Sequence, residues 1–129
     1  MSTSGWIGVD LDGTLAHYDG WRGIDHIGTP VPAMLQRVQA WLAEGREVRI
    51  FTARVCEPRM GGDGDSTAEV AREHISRWLW DHGLIVDGEP LTVTNVKDFA
   101  MVELWDDRAV QVEINTGLAY VHPHGRPTP

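Results

Sequence analysis

Apolar and polar positions along this chain follow two different periods. Trp6, Ile7 and Val9 form a short apolar run that stops at Asp10, and Val48, Ile50 and Phe51 form another that stops at Thr52. Short apolar runs bounded by turn residues mark buried strands, which predicts strands over Trp6–Asp10 and Glu47–Thr52. Leu91–Val93, Val102–Trp105 and Val110–Ile114 are predicted as further short strands. The last of them is expected to turn through Asn115, Thr116 and Gly117 into Leu118–Val121. Between the strands the period lengthens. Met34, Leu35, Val38, Trp41 and Leu42 fall on one helical face, predicting a helix over Pro32–Glu44 that Gly45 ends. A second helix is predicted over Ser66–Trp80. Ser66 and Glu69 form a capping-box pair at its start, Val70, His74, Ile75, Trp78 and Leu79 lie on its apolar face, and Gly83 closes it. The stretches 12–32 and 57–65 are rich in glycine and lack periodicity, so they read as loops. Strands alternating with helices predict an α/β sandwich around a mainly parallel sheet.

The polar residues of interest sit where these strands end. Asp10 and Asp12 are two apart, directly after the first apolar run and before Gly13-Thr14. Like charges held this close need a cation or a shared proton. Asp-x-Asp-Gly is also an ordinary turn composition, so the pair alone leaves both readings open. A calcium-binding loop is excluded, because its sixth and twelfth positions, which need Gly and Glu, hold Leu15 and Trp21. The later strand ends carry matching chemistry. Thr52 follows Phe51, and Lys97 follows the run at Leu91–Val93. Asp106 and Asp107 follow Val102–Trp105. Acids to hold a cation and attack, with a hydroxyl and an ammonium to neutralise phosphoryl oxygens, are what phosphoryl transfer requires. Arg54, two residues past Thr52, offers a planar fork suited to phosphate or carboxylate; an ion pair with Asp63 or Asp65 is the equal alternative.

In this order the residues resemble the haloacid dehalogenase superfamily of phosphohydrolases, in its small, capless form. Asp10, Asp12 and Thr14 match that family's first motif, Thr52 its second, Lys97 its third, and Asp106 with Asp107 its fourth. The span covers most of the chain. Receiver domains use similar residues, but there the acidic pair precedes the Thr and Lys. The resemblance implies a three-layer α/β sandwich with a Rossmann-like core and one catalytic domain over 1–121, with 122–129 a flexible tail. It implies a phosphatase. Asp10 would be the nucleophile and Asp12 the acid and base. Thr52 and Lys97 would hold the phosphoryl group, and Lys97 would tether Asp10. Mg²⁺ would sit on Asp10, Asp106, Asp107 and the Asp12 carbonyl. Gly13, Thr14 and Arg54 are expected on the substrate side. The stretches 16–30 and 55–65 are too short to be caps. The first is a flap carrying His17, Tyr18, Trp21, Arg22 and His26, with Tyr18 and Trp21 either covering the core edge or touching substrate. Without a cap, a neighbouring subunit is expected to help close the site. A phosphotransferase or nucleotidase of the same fold is the alternative, and a noncatalytic phospho-ligand-binding protein is a further one.

Composition narrows the setting. The chain has 129 residues, enough for one core. Its formal charge is −8, which disfavours nucleic acid as partner and leaves a phosphorylated small molecule as the expected substrate. Cys56 is the single cysteine, so no internal disulfide forms, and without an identifiable base it is read as incidental. No basic residue precedes the first apolar run and no stretch reaches membrane-spanning length, so a cytoplasmic location without membrane contact is expected.

Overall fold

The structure is a computed structural model, and it describes residues 4–56 and 68–120. Four strands form one parallel sheet: β1 (Trp6–Val9), β2 (Glu47–Phe51), β5 (Thr92–Thr94) and β6 (Met101–Trp105), in the order β5-β2-β1-β6. β1 lies in the middle and is buried along its whole length, as a strand covered on both faces must be. Its residues pair in register with β2, Ile7 opposite Val48 and Val9 opposite Ile50. On its other side Gly8 stands opposite Leu104, and Val9 opposite Trp105.

Pleating divides the sheet residues between two faces. Ile7, Val9, Val48, Ile50 and Val93 join one core cluster with Met34 and Val38 of α1 (Pro32–Ala43) and with Ala71, Ile75 and Leu79 of α2 (Ala68–Asp81). Both helices thus cover the same face, as right-handed crossovers stepping in one direction require. The opposite face carries Trp6, fully buried, with the Arg49 guanidinium 4.6 Å from its ring centre and its indole N–H donating to Asp98 Oδ1 at 2.8 Å. Asp98 belongs to the irregular segment that runs from β5 to β6. Among the described residues no cap domain is present, and no helix is long and apolar enough to cross a membrane.

The elements match their predicted positions within a few residues, with four differences. Val110–Ile114 is not a strand: the predicted hairpin is reduced to a single bridge, Val112 to Ala119, around a turn at 114–116. A two-residue hairpin unseen in the periodicity joins β3 (Ile85–Val86) to β4 (Glu89–Pro90). Asp87 and Gly88 turn it with φ of 53° and 81°, the left-handed pair that an Asp-Gly dipeptide favours. The buried face of α2 is set by Ala68, Ala71, Ile75, Trp78 and Leu79, while Val70 and His74 are half-buried. Thr52 is not the last residue of β2 but caps a short 3₁₀ turn over Ala53–Val55. The predicted loop 57–65, the Ser66 cap and the tail 122–129 lie outside the described residues.

The flap is pinched at its neck. His17 N–H donates to Thr29 O at 2.8 Å, and Ala16 bridges to Pro30. Gly28 sits against this neck so tightly that a Cβ there would lie 2.0 Å from the His17 carbonyl oxygen, so glycine alone fits. Ile24 and Ile27 anchor the flap on the core, and Trp78 Nε1 of α2 donates to Gly28 O at 2.9 Å.

Candidate active site

Because all four sheet strands run parallel, their carboxyl ends share one edge. β1 is the point at which the order reverses: the chain proceeds to β2 and β5 on one side and returns to β6 on the other. A crevice opens at such a switch point, outside the strand ends. Here it is a cleft of about 590 Å³ lined by Asp10, Asp12, Tyr18, Trp21, Phe51, Thr52, Ala53, Arg54, Asp106 and Arg108.

Asp10 and Asp106 of its lining come together with Asp107 beside it, each offering a carboxylate oxygen within 4.8 Å of the others. Asp10 N–H is fixed by Trp105 O at 2.9 Å, which locks the β1 loop to the β6 loop. Thr14 stitches the same junction. Its hydroxyl accepts from Asp107 N–H at 3.0 Å and lies 3.2 Å from Asp10 Oδ2 and 3.4 Å from Asp107 Oδ1. Gly13, at φ 89°, turns beneath the Asp107 carboxylate, where a Cβ would lie 2.8 Å from Oδ2. Gly13 and Thr14, expected on the substrate side, shape the acidic cluster and are not among the residues that line the cleft.

Crowding the three carboxylates has an electrostatic consequence. Burial, then the hydrogen bond to Asp107 and the charges of Asp106 and Asp107, push the Asp10 carboxyl up to about 8, against a smaller pull from Thr14. The cluster is a set of hard oxygen donors short of positive charge, which fits a divalent cation. Asp12 does not share the cluster. Its side chain turns to Arg54, whose Nε and Nη2 donate to Oδ2 and Oδ1 at 2.7 and 2.8 Å. Of the four acids expected to converge, three do; only the Asp12 main-chain carbonyl remains available for the role the resemblance implied.

Arg54 is 6% exposed and belongs to the 3₁₀ turn. Beyond Asp12, its Nη2 donates to His26 O at 2.9 Å and its Nη1 to Ile24 O at 3.3 Å, both in the flap, and the Trp21 ring covers it at 4.8 Å. Asp12, 42 residues away, is thus a carboxylate partner of Arg54, while Asp63 and Asp65 lie outside the described residues. Thr52, 3% exposed, accepts Arg54 N–H at 3.1 Å with its hydroxyl oxygen, leaving the hydroxyl proton for a group in the cleft. Lys97 is placed elsewhere. It lies in the exposed stretch beyond β5, two strands from β1, and does not line the cleft; among the described residues no hydrogen bond or ion pair joins it to Asp10. The cation that does line the cleft beside the acids is Arg108, whose N–H donates to Asp106 Oδ1 at 2.8 Å. Sequence reasoning gave Arg108 no role. The available signal was its place two residues past Asp106, the spacing that separates Arg54 from Thr52. Tyr18 and Trp21, 40% and 53% exposed, face the cleft and leave aromatic surface open to it.

Fold and site define an α/β protein with an acidic cleft at the carboxyl edge of a parallel sheet. No protein-family model matches the chain, and no curated protein does. Among solved structures, a conserved protein from Bacteroides thetaiotaomicron is similar, with 17% identity and a TM-score of 0.56, over 84% of this chain and 79% of that one. A likeness at that identity establishes the shared architecture alone.

Proposed function

We propose that this protein is a Mg²⁺-dependent phosphatase that hydrolyses a phosphomonoester through an aspartyl-phosphate, as the resemblance to the haloacid dehalogenase phosphohydrolases implies. The observation that carries the reading is the cleft itself: Asp10 lies against Asp106 and Asp107, and Thr52 and Arg108 line the same cleft. A Mg²⁺ ion held by Asp10, Asp106 and Asp107 would neutralise charge on the phosphoryl oxygens and on the crowded acids.

The chain's own residues supply the remaining roles. Asp10 Oδ attacks phosphorus as the bond to the leaving oxygen breaks, and Asp12, on the cleft wall, gives that oxygen its proton. In the second half Asp12 takes a proton from water as the water oxygen bonds to phosphorus and the bond to Asp10 breaks, which releases phosphate and restores the Asp10 carboxylate and the protonated Asp12. Thr52 donates its hydroxyl proton to a phosphoryl oxygen. Arg108 supplies the positive charge assigned on sequence grounds to Lys97. Tyr18 and Trp21 take the organic part of the substrate. Retention of an acid at Asp12 favours phosphatase over the other reaction classes of that fold, and the intact acid set disfavours a noncatalytic binding protein.

Chelation tests this reading. EDTA is expected to abolish hydrolysis of an aryl phosphate, and Mg²⁺ to restore it; full activity in chelator would contradict the mechanism. The same ion is expected to raise the melting temperature with a defined pH dependence. A carboxyl raised in the folded state contributes stability that is present below its unfolded value near 4 and lost as pH rises through about 8. The metal-free protein should therefore lose stability over that window, and Mg²⁺ should stabilise it far more near pH 8 than near pH 5.

Association of like chains is proposed as well. Val96, Phe99, Val102, Val110, Val112, Ile114, Leu118 and Tyr120 are all exposed, and they crowd into the last quarter of the described chain. Apolar side chains concentrated this way mark association surfaces. Sedimentation should find a species larger than the monomer; a strict monomer at all concentrations would refute association.

A further inference from the structure

We propose that Arg54 is a positioning residue that ties the seating of the flap to the orientation of Asp12. The inference rests on the phosphatase reading for its catalytic consequence, and on geometry alone for the tie itself.

An arginine in a phosphate-handling cleft would ordinarily be assigned to the phosphate. Here its donors are already committed. Nε and Nη2 hold the two oxygens of Asp12, while Nη2 and Nη1 also reach the His26 and Ile24 carbonyls. The guanidinium is a rigid plane, so its donors cannot be re-aimed one at a time. Fixing one edge on Asp12 fixes the direction in which the other meets the flap, and the reverse holds equally. Trp21 lies over the plane at 4.8 Å and adds a third flap contact to the same group. Burial raises the cost of breaking any of these bonds, because a charge lost from its partner here cannot turn to water.

The anchoring of Arg54 comes from its own element. Thr52 caps the 3₁₀ turn by accepting Arg54 N–H, so the residue that faces the phosphoryl group also sets the backbone from which Arg54 projects. The flap, held by its neck at His17–Thr29, is hydrogen-bonded to the body by this side chain at Ile24 and His26 and by Trp78 at Gly28. With no cap domain among the described residues, the tie gives a route by which covering the cleft and aligning the proton donor become one event. Asp12, held by Arg54 at both oxygens, also lines the cleft.

The tie is tested by amide hydrogen exchange over residues 17–29 in the wild type, Arg54→Lys and Asp12→Asn, each in the metal-free protein. Loss of a charged, two-point hydrogen bond should speed exchange of that segment about tenfold in both variants. Unchanged exchange in both overturns the proposal, whatever the activity. The catalytic consequence is read separately. Arg54→Lys should lower kcat for an alkyl phosphate about a hundredfold and for a nitrophenyl phosphate only a few-fold, with KM unchanged for both. A rise in KM shared by both substrates makes Arg54 a phosphate ligand and overturns the positioning role. If the alkyl–aryl split is missing in Asp12→Asn itself, the phosphatase assignment of Asp12 fails, while the exchange result still decides the tie. Arg54→Gln, which keeps a planar amide, guards against a folding defect peculiar to lysine.

Discussion

Asp10→Asn is expected to remove phosphatase turnover almost entirely. The loss should approach the roughly million-fold seen when a catalytic nucleophile is deleted, because no other side chain can take its place. Asp12 is engaged by Arg54, and the neighbouring Asp106 and Asp107 stand on the β6 loop with Asp107 drawn into the Thr14 junction. The substitution is nearly isosteric and removes a group that burial and two neighbouring carboxylates make costly to ionise. The folded protein should therefore be as stable as the wild type or more so in the absence of metal. Steady-state rates with an aryl phosphate, together with a thermal melt, check both halves. Inactivity accompanied by unfolding would not count for the mechanism, whereas a stable variant with substantial turnover would count against it.

Asp12→Asn is the second large effect, and its signature is selective. A proton donor matters in proportion to the basicity of the leaving oxygen. Turnover of an alkyl phosphate should fall about 10²–10⁴-fold, the usual worth of general acid catalysis, and turnover of a nitrophenyl phosphate much less. The variant also removes the Asp12 carboxylate that Arg54 holds at two points in a site where that cation is 6% exposed, so a lower melting temperature is expected alongside. Measuring both substrates in the same preparation separates the two effects, since a folding loss reduces both rates equally. An equal loss on both substrates would make Asp12 a structural residue.

How much of this could be read from the chain depends on whether the signal is local. Strand ends are local, and so Asp10, Thr52 and Asp106 were placed correctly at the carboxyl edge: each follows an apolar run with no intervening turn. The α1 face was legible for the same reason, its large side chains recurring at helical spacing. Side-chain partners are not local. Arg54 bonds Asp12 across the β1–β2 pairing, a neighbour that only the sheet order supplies. Lys97 shows the same limit from the other side. Its distance along the chain from the acids suggested nothing wrong, but strand order leaves its loop two strands from Asp10 while Arg108 occupies the cleft. The buried face of α2 was misjudged because Ala68 and Ala71 carry too little apolar weight to outvote Val70 and His74, although small residues are what let a helix approach a sheet closely. At Val110–Ile114 alternation was present, but among the described residues the stretch forms a single bridge, Val112 to Ala119, and joins neither sheet.

The central claim is covalent chemistry at Asp10, and the most direct measurement is to catch it. Wild-type protein turning over an aryl phosphate with Mg²⁺ would be quenched in acid, digested and mapped by mass spectrometry. The account predicts one added phosphoryl group on the peptide that contains Asp10, lost on mild alkaline treatment and absent from Asp10→Asn. Steady phosphate release with that peptide unmodified, or with the phosphoryl group on another residue, would contradict it.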